Sequence, residues 1–272
     1  MAKAFSLASW NTKNLKDEDV DSARIKRVVQ FMGDQNPDVF AMLEVVGKNL
    51  YDTLSSKMAG YQFHITEGPQ TQETLVGVKR GLTAFFTQKV EFKSGTTLLR
   101  PGALLSLRID GADYSILFLH TKSSTDPLGL GIRDDQFNRA FKFKKTLDKA
   151  ASGGKSNFLF LGDLNTMGMD YPYKKEIEPD FELKRLDGRA KKAGMRRLTK
   201  NAPNTWWEGT GSSYAPSNLD HVVVSDQLSV KKFGGAEADV RGWPALATDA
   251  EKTKWIQDHS DHGLVFVEVN KV

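Results

Sequence analysis

Six short segments of this 272-residue chain place a group able to bind a cation or move a proton at the end of an apolar run. Val39 to Leu43 runs into Glu44, Ile116 to Leu119 runs into His120, and Phe158 to Leu161 passes through Gly162 into Asp163-Leu164-Asn165. The first run, Phe5 to Trp10, stops at Asn11. Two late segments are reversed: Asp220-His221 precedes Val222 to Val224, and Asp261-His262 precedes Leu264 to Val267. Continuous apolar runs of this length read as interior strands, so each polar group falls at a sheet edge where a cleft can open. If the last two strands run antiparallel to the first four, all six sites meet at one edge. Taken singly, each has a plainer origin: a solvated strand end for Glu44, a satisfied buried ring for His120, a turn for Asp-x-Asn. Six in order are not explained by turn chemistry. The chain has no cysteine, which excludes a thiolate zinc site, a disulfide framework and a cysteine nucleophile, so a metal here is held by oxygen or imidazole.

The elements that must carry these groups are mostly strands. Runs rich in β-branched and aromatic residues predict strands at Phe5 to Ser9, Asp38 to Val45, Tyr61 to Thr66, Leu82 to Gln88, Ala103 to Ile109, Tyr114 to His120, Asn157 to Leu161, His221 to Ser225 and Leu264 to Val269. Helices are fewer. Val20, Ala23, Val28, Phe31 and Met32 keep a helical period over 19–34, Leu50, Leu54 and Met58 recur every four residues, and Phe137, Ala140, Phe141 and Leu147 mark a third helix. Many strands with a few amphipathic helices predict two sheets packed face to face with helices outside.

Composition is that of a folded protein: 39% hydrophobic, a net charge of +4 and a pI near 9.0. The length suits a single domain over 1–272. Between Lys174 and Lys200 ten Lys/Arg face five Asp/Glu, so this stretch alone carries +5. Its apolar periodicity is poor, which predicts a basic surface excursion at about 170–210. Trp206-Trp207 follows it, and aromatics beside clustered cations suit a phosphate backbone with stackable bases. Apolar runs are far shorter than a membrane span, and no signal-like region opens the chain. A cytoplasmic, monomeric protein without stable membrane association is expected, a secreted form with its signal removed being the alternative.

Together the six segments resemble the endonuclease/exonuclease/phosphatase superfamily, with its deoxyribonuclease I-like members. Ser9-Trp10-Asn11 is similar to its first motif, Pro37-Asp38-Val39 through Leu43-Glu44 to its second, and Leu119-His120-Thr121 to its third. Gly162-Asp163-Leu164-Asn165, Leu219-Asp220-His221 and Ser260-Asp261-His262 complete the order. The resemblance implies an α/β fold, a four-layer αββα sandwich of two mixed sheets, and hydrolysis of phosphodiesters. It implies Glu44, Asn11 and Asp261 as ligands of Mg²⁺, with Mn²⁺ a plausible substitute. It implies that Asp220 orients His262 and favours its imidazolium, that Asp163 aligns or deprotonates the attacking water, and that Asn165 and His120 donate to the non-bridging oxygens. Arg100, before Pro101, matches a phosphate clamp of some nuclease members.

Departures bear on substrate. His120 stands where abasic-site endonucleases usually carry tyrosine, and Lys13 near a position that in some members holds a second metal-binding carboxylate. The Tyr and Glu that pancreatic-type deoxyribonuclease sets beside its first histidine are not found around Val76 to Lys79, which points to His120 as a neutral donor. The expected function is a Mg²⁺-dependent nuclease with a nucleic acid substrate, contacted by Asn11, Arg100, Trp206 and Trp207. The alternatives are a phosphatase or phospholipid phosphodiesterase on the same site, and a noncatalytic nucleic-acid-binding module; no sphingomyelinase-like apolar insertion loop favours a lipid, and none of Glu44, Asp163, Asn165, Asp220 and His262 is lost as a dead scaffold would require.

Overall fold

The computed structural model describes residues 2–16, 23–46, 50–171 and 176–272. The chain runs β1 (Lys3–Lys16), α1 (Ala23–Gln35), β2 (Val39–Val46), α2 (Leu50–Lys57), β3 (Tyr61–Ile65), β4 (Glu73–Lys79), β5 (Thr83–Lys89), β6 (Gly102–Ile109) and β7 (Ala112–His120). It continues with α3 (Pro127–Ala150), β8 (Asn157–Asp163), α4 (Pro179–Lys192), β9 (Met195–Arg197), β10 (Asp220–Ser225), β11 (Asp239–Arg241), α5 (Asp249–Asp258) and β12 (Leu264–Asn270). Two six-stranded mixed sheets form, in the orders β11-β12-β1-β2-β4-β3 and β5-β6-β7-β8-β10-β9.

Period-two alternation assigns each strand's residues to two layers. Phe5, Leu7, Val39, Ala41 and Leu43 of the first sheet face Leu105, Ile116, Phe118, Leu159 and Leu161 of the second in one core. Trp10, Phe40 and Met42 lie on the outer face of the first sheet against Val28, Met32 and Leu54 of α1 and α2. Leu117, Phe158, Phe160 and Val223 on the far face of the second pack on Phe137, Phe141, Leu186 and Ala190 of α3 and α4. The result is the four-layer αββα sandwich. Both faces of the central strands are covered, which is why their sequences read as unbroken apolar runs.

At the centre of each sheet two strands are parallel, β1 with β2 and β7 with β8, and a later strand is antiparallel to them, β12 beside β1 and β10 beside β8. That is the condition for all six polar sites to share one edge, and it is met.

The stretch expected as a basic surface excursion is instead part of the sandwich. Leu183, Leu186 and Ala190 form the buried stripe of α4, Met195 enters the sheet in β9, and Leu198 reaches the inter-sheet core. Its four arginines are all paired: Arg185 at 3.1 Å and Arg189 at 2.6 Å with Asp134, Arg197 at 2.7 Å with Asp187, and Arg196 at 3.0 Å with Glu237. Asp180 and Glu182 in the first turn and Arg189, Lys191 and Lys192 in the last complement the helix dipole, so part of the charge pattern belongs to helix stability. Lys174 and Lys175, and the start of the helix expected over 19–34, lie outside the described residues. Among those described, no helix is long and apolar enough to cross a membrane.

Candidate active site

Asp163 ends β8 at the middle of the second sheet. Register places His120 of β7 opposite it on one side and Asp220 of β10 on the other. The first sheet contributes from across the sandwich: Asn11 Nδ2 donates to Asp163 Oδ2 at 3.0 Å and to Glu44 Oε1 at 3.1 Å, linking the two sheets through one amide. His262, just before β12, donates its Nδ1–H to the Asp220 carboxylate at 2.8 Å and brings Nε2 within 3.7 Å of Asp163 Oδ2. His120 Nε2 lies 3.5 Å from Asp163 and 3.7 Å from Glu44. The Nδ1 of His120 is buried without a partner among the described residues.

Backbone irregularities aim these groups. Pairing of β2 jumps from Asn11–Leu43 to Leu15–Val45 on one side and from Leu43–Thr74 to Val45–Glu73 on the other, leaving Glu44 as the bulged residue at φ 60°. A bulge re-aims a side chain at a strand end. Asn165 also sits in the left-handed region, at φ 46°. Gly162 is required by contact as well as conformation: at φ 137° a Cβ would lie 2.0 Å from the Leu119 carbonyl oxygen of the neighbouring strand. The segment before β12 is braced by Trp10 Nε1 on the His262 carbonyl and Trp243 Nε1 on the Asp261 carbonyl, both at 2.9 Å.

Electrostatics divide the roles. Burial opposes charge on His262, but Asp220, Asp163 and Asp261 outweigh it and hold the ring's pKa at about 10, so it is an imidazolium. Burial raises Asp163 to about 7, the neighbouring carboxylates adding to the effect and His262 opposing it. Burial, then the cations Arg100 and His262, push His120 well below its ordinary value, which leaves a neutral ring.

A cavity of about 990 Å³ opens over this cluster, lined by Asn11, Glu44, His120, Asp163, Asn165, Asp261 and His262, with Trp206, Lys13 and Lys122 on its walls. Three of the expected residues lie off that wall. Asp220 stands behind His262. Trp207 donates its backbone N–H to the Asp261 carbonyl at 3.0 Å and packs its ring on Trp243, 6.0 Å between centroids. Arg100 donates to the side-chain oxygen of Gln72, behind Glu44, instead of facing the cavity. Trp206 packs near Tyr214, an exposed aromatic that sequence reasoning did not single out. Thr205 was also missed: its hydroxyl accepts from the Leu219 and Asp220 amides and its carbonyl from Gly263, joining the two late motifs. Such braces act through backbone bonds and leave no motif.

Ligand atoms of Asp163, Asp220 and His262 lie within 4.8 Å of one another, an acid and imidazole cluster of metal-binding dimensions. The imidazolium of His262 disfavours a cation at that spot. The better fit for a hard divalent ion is Glu44, a carboxylate 19% exposed to the cavity, with the Asn11 amide beside it. Asp261 Oδ2 lies 3.5 Å from the Lys13 ammonium, so that carboxylate already has a cationic neighbour.

Residues 8–259 match the Endonuclease/Exonuclease/phosphatase family, and the chain belongs to it. Enzymes of this family are divalent-metal-dependent hydrolases of phosphoester bonds. No curated protein sequence matches the chain. Among solved structures, truncated Caenorhabditis elegans TDP2 is similar with a TM-score of 0.67 and 18% identity, covering 98% of this chain and 97% of its own. D. rerio TDP2 complexed with single-strand DNA product gives 0.67 and 14%, covering 98% of both chains. A mannosyl-6-phosphatase of Bacteroides thetaiotaomicron gives 0.60 and 17%, covering 97% of this chain and 98% of its own. At these identities the likeness is one of fold.

Proposed function

We propose that this protein is a Mg²⁺-dependent phosphodiesterase that cleaves nucleic acid, DNA in particular. The observation that carries the reading is the placement of Asp163 between a neutral His120, the Asn11 amide and a His262 imidazolium held by Asp220. A carboxylate whose pKa is raised to about 7 is suited to take a proton from an attacking water near neutral pH. The His262 Nε2–H, the second Asn165 amide proton and His120 are available to hydrogen-bond the phosphoryl oxygens as negative charge builds there. Mg²⁺, held by Glu44, would supply neutralisation of that charge, and Asn11 would join it through Oδ1, which here accepts from the Lys13 backbone N–H at 3.0 Å. Water thus loses its proton to Asp163 and bonds to phosphorus, and the bond to the leaving oxygen breaks with its electron pair on that oxygen.

For substrate, Trp206 and Tyr214 offer aromatic surface beside the cavity, and Lys13 and Lys122 offer cations for flanking phosphates. A second reading, a phosphatase of small phosphate esters, gains from the acid partners of Arg185, Arg189, Arg196 and Arg197, which reduce the cationic surface free for a polymer. Purified protein should be assayed on plasmid, single-stranded DNA, RNA, bis(p-nitrophenyl) phosphate and sugar monophosphates, with Mg²⁺ and with chelator. The expected result is chelator-sensitive cleavage of DNA and of the diester. Release of inorganic phosphate from monoesters with DNA left intact would overturn the nuclease reading in favour of the second.

A further inference from the structure

Glu44 is held asymmetrically. Its Oε2 accepts from the Asn14 backbone N–H at 2.9 Å and from Gln72 Nε2 at 3.2 Å, whereas among the described residues Oε1 accepts a hydrogen bond from Asn11 alone, at 3.1 Å, with His120 Nε2 farther off at 3.7 Å. The Gln72 amide cannot flip freely, because its oxygen accepts from the Arg100 guanidinium, which has no acceptor to offer in return. Arg100 thereby forces the Gln72 N–H toward Glu44. Asn14 supports the same arrangement, its side-chain oxygen lying 3.4 Å from Gln72 Nε2.

We infer that Gln72 is a positioning residue for the cation-binding carboxylate, and that Arg100 acts through Gln72 rather than as a substrate clamp. Two donors occupy Oε2 and pin the carboxylate plane, so Oε1 is the oxygen presented to a divalent ion beside Asn11. This rests on the reading of Glu44 as a metal ligand. Partners one step removed from a metal typically carry a 10- to 100-fold effect on affinity, because they fix the orientation of the ligand they touch.

The test is a direct measurement of Mn²⁺ binding by titration calorimetry on Q72M, R100M, the double variant and E44Q, with melting curves to establish folding. Q72M should bind Mn²⁺ about 10-fold more weakly than the unaltered protein. The double variant should be no weaker than Q72M, since the orienting effect of Arg100 passes through Gln72 and the direct effect of its positive charge on Glu44 opposes a second cation there. With saturating metal, the KM for DNA should be unchanged in Q72M and R100M. If E44Q loses Mn²⁺ binding while Q72M keeps it at full strength, the inference falls and the ligand reading stands; if E44Q itself binds normally, the ligand reading falls first. Additive losses in the double variant, together with a raised KM in R100M, would restore Arg100 as a clamp. Should Q72M fail to fold, Q72A, which leaves space rather than a new contact, gives the same comparison.

Discussion

Replacing Asp220 by Asn keeps the shape of the Asp220–His262 pair and removes its charge. In the protein the His262 ring sits at about 10 against an ordinary 6.5, although burial alone would push it down. That rise corresponds to roughly 5 kcal/mol in favour of the charged ring, at about 1.4 kcal/mol for each tenfold change. Asp220 is the largest source of it and the carboxylate hydrogen-bonded to the ring, at 2.8 Å. With Asn there, burial competes against Asp163 and Asp261 alone, so His262 should titrate at least two pH units lower and be neutral at pH 9. Loss of an oriented cationic donor at the phosphate should lower kcat by about 10²- to 10⁴-fold. The assay is a titration of the histidine ring signals by NMR on metal-free protein, paired with kcat measured against pH. A D220N variant whose His262 titrates as in the unaltered protein would refute the electrostatic account of the pair. Retained kcat despite a lowered pKa would refute the imidazolium's role.

Stability should follow the same groups. His262 and Asp163 both have raised folded-state values, so their contribution is present in full below their ordinary values and lost as pH rises, for Asp163 between about 4 and 7 and for His262 between about 6.5 and 10; denaturant unfolding of metal-free protein across pH 5 to 10 should show that decline, and its slope above pH 7 should flatten in H262A. Substituting Gly162 by Ala should lower stability by about 3 kcal/mol or more, because the added methyl must displace the Leu119 carbonyl and φ is unfavourable; a melting temperature within a degree of the unaltered protein would show that the strand end relaxes without cost. Neutralising Lys122 should raise KM for DNA and reduce the salt dependence of binding, whereas R189A should mainly cost stability through its 2.6 Å pair with Asp134; the reverse pattern, read by salt-dependent kinetics and melting, would move the nucleic acid to the α4 face.

The strand core was legible because both faces of β1, β2, β7, β8 and β10 are covered, which writes burial into every residue of the run. The partly exposed edge strands β3 and β5 and the amphipathic α1, α2 and α3 were read as well, whereas very short strands, β4 and the last two helices were not. β9 and β11 have three residues each, and β4 is interrupted by Gly77, where a Cβ would lie 2.3 Å from the Phe40 ring. α5 did carry a readable start signal, the capping box of Thr248 and Glu251, in which the Glu251 amide donates to the Thr248 hydroxyl at 3.2 Å and the Thr248 amide to the Glu251 carboxylate at 2.9 Å. α4 was hidden by its own charge: ten cations in the stretch dilute a three-residue apolar stripe, and the ion pairs that absorb its arginines join residues as far apart as Asp134 and Arg189. Of the candidate site, the residues at strand ends could be read and the ones that hold them could not. Gln72, Asn14 and Thr205 act through hydrogen bonds to neighbours distant in sequence, and any polar residue in a loop looks the same until the fold closes.

The geometry also explains why the polar groups lie where strand regularity fails. A residue in an ideal interior strand points into one of the two cores, and a charge there would be desolvated without a partner. Turning the chain into the left-handed region at Glu44 and Asn165, with Lys13 and Asn14 likewise at φ 50° and 51°, takes these side chains out of the alternation and lets them converge on the gap between the sheet edges. Asn11 reaches both sheets, as the His262–Asp220 pair also does, but with a neutral amide, which can bridge two carboxylates without adding a third negative charge. Converting it to Asp should therefore do more harm than converting it to Ala: a third carboxylate beside Glu44 and Asp163 adds to the repulsion that the cations His262 and Arg100 offset, so N11D should be less stable than N11A above pH 7 and the two should converge near pH 4. Unfolding free energies that order the other way would mean that the amide is there for shape and not for charge.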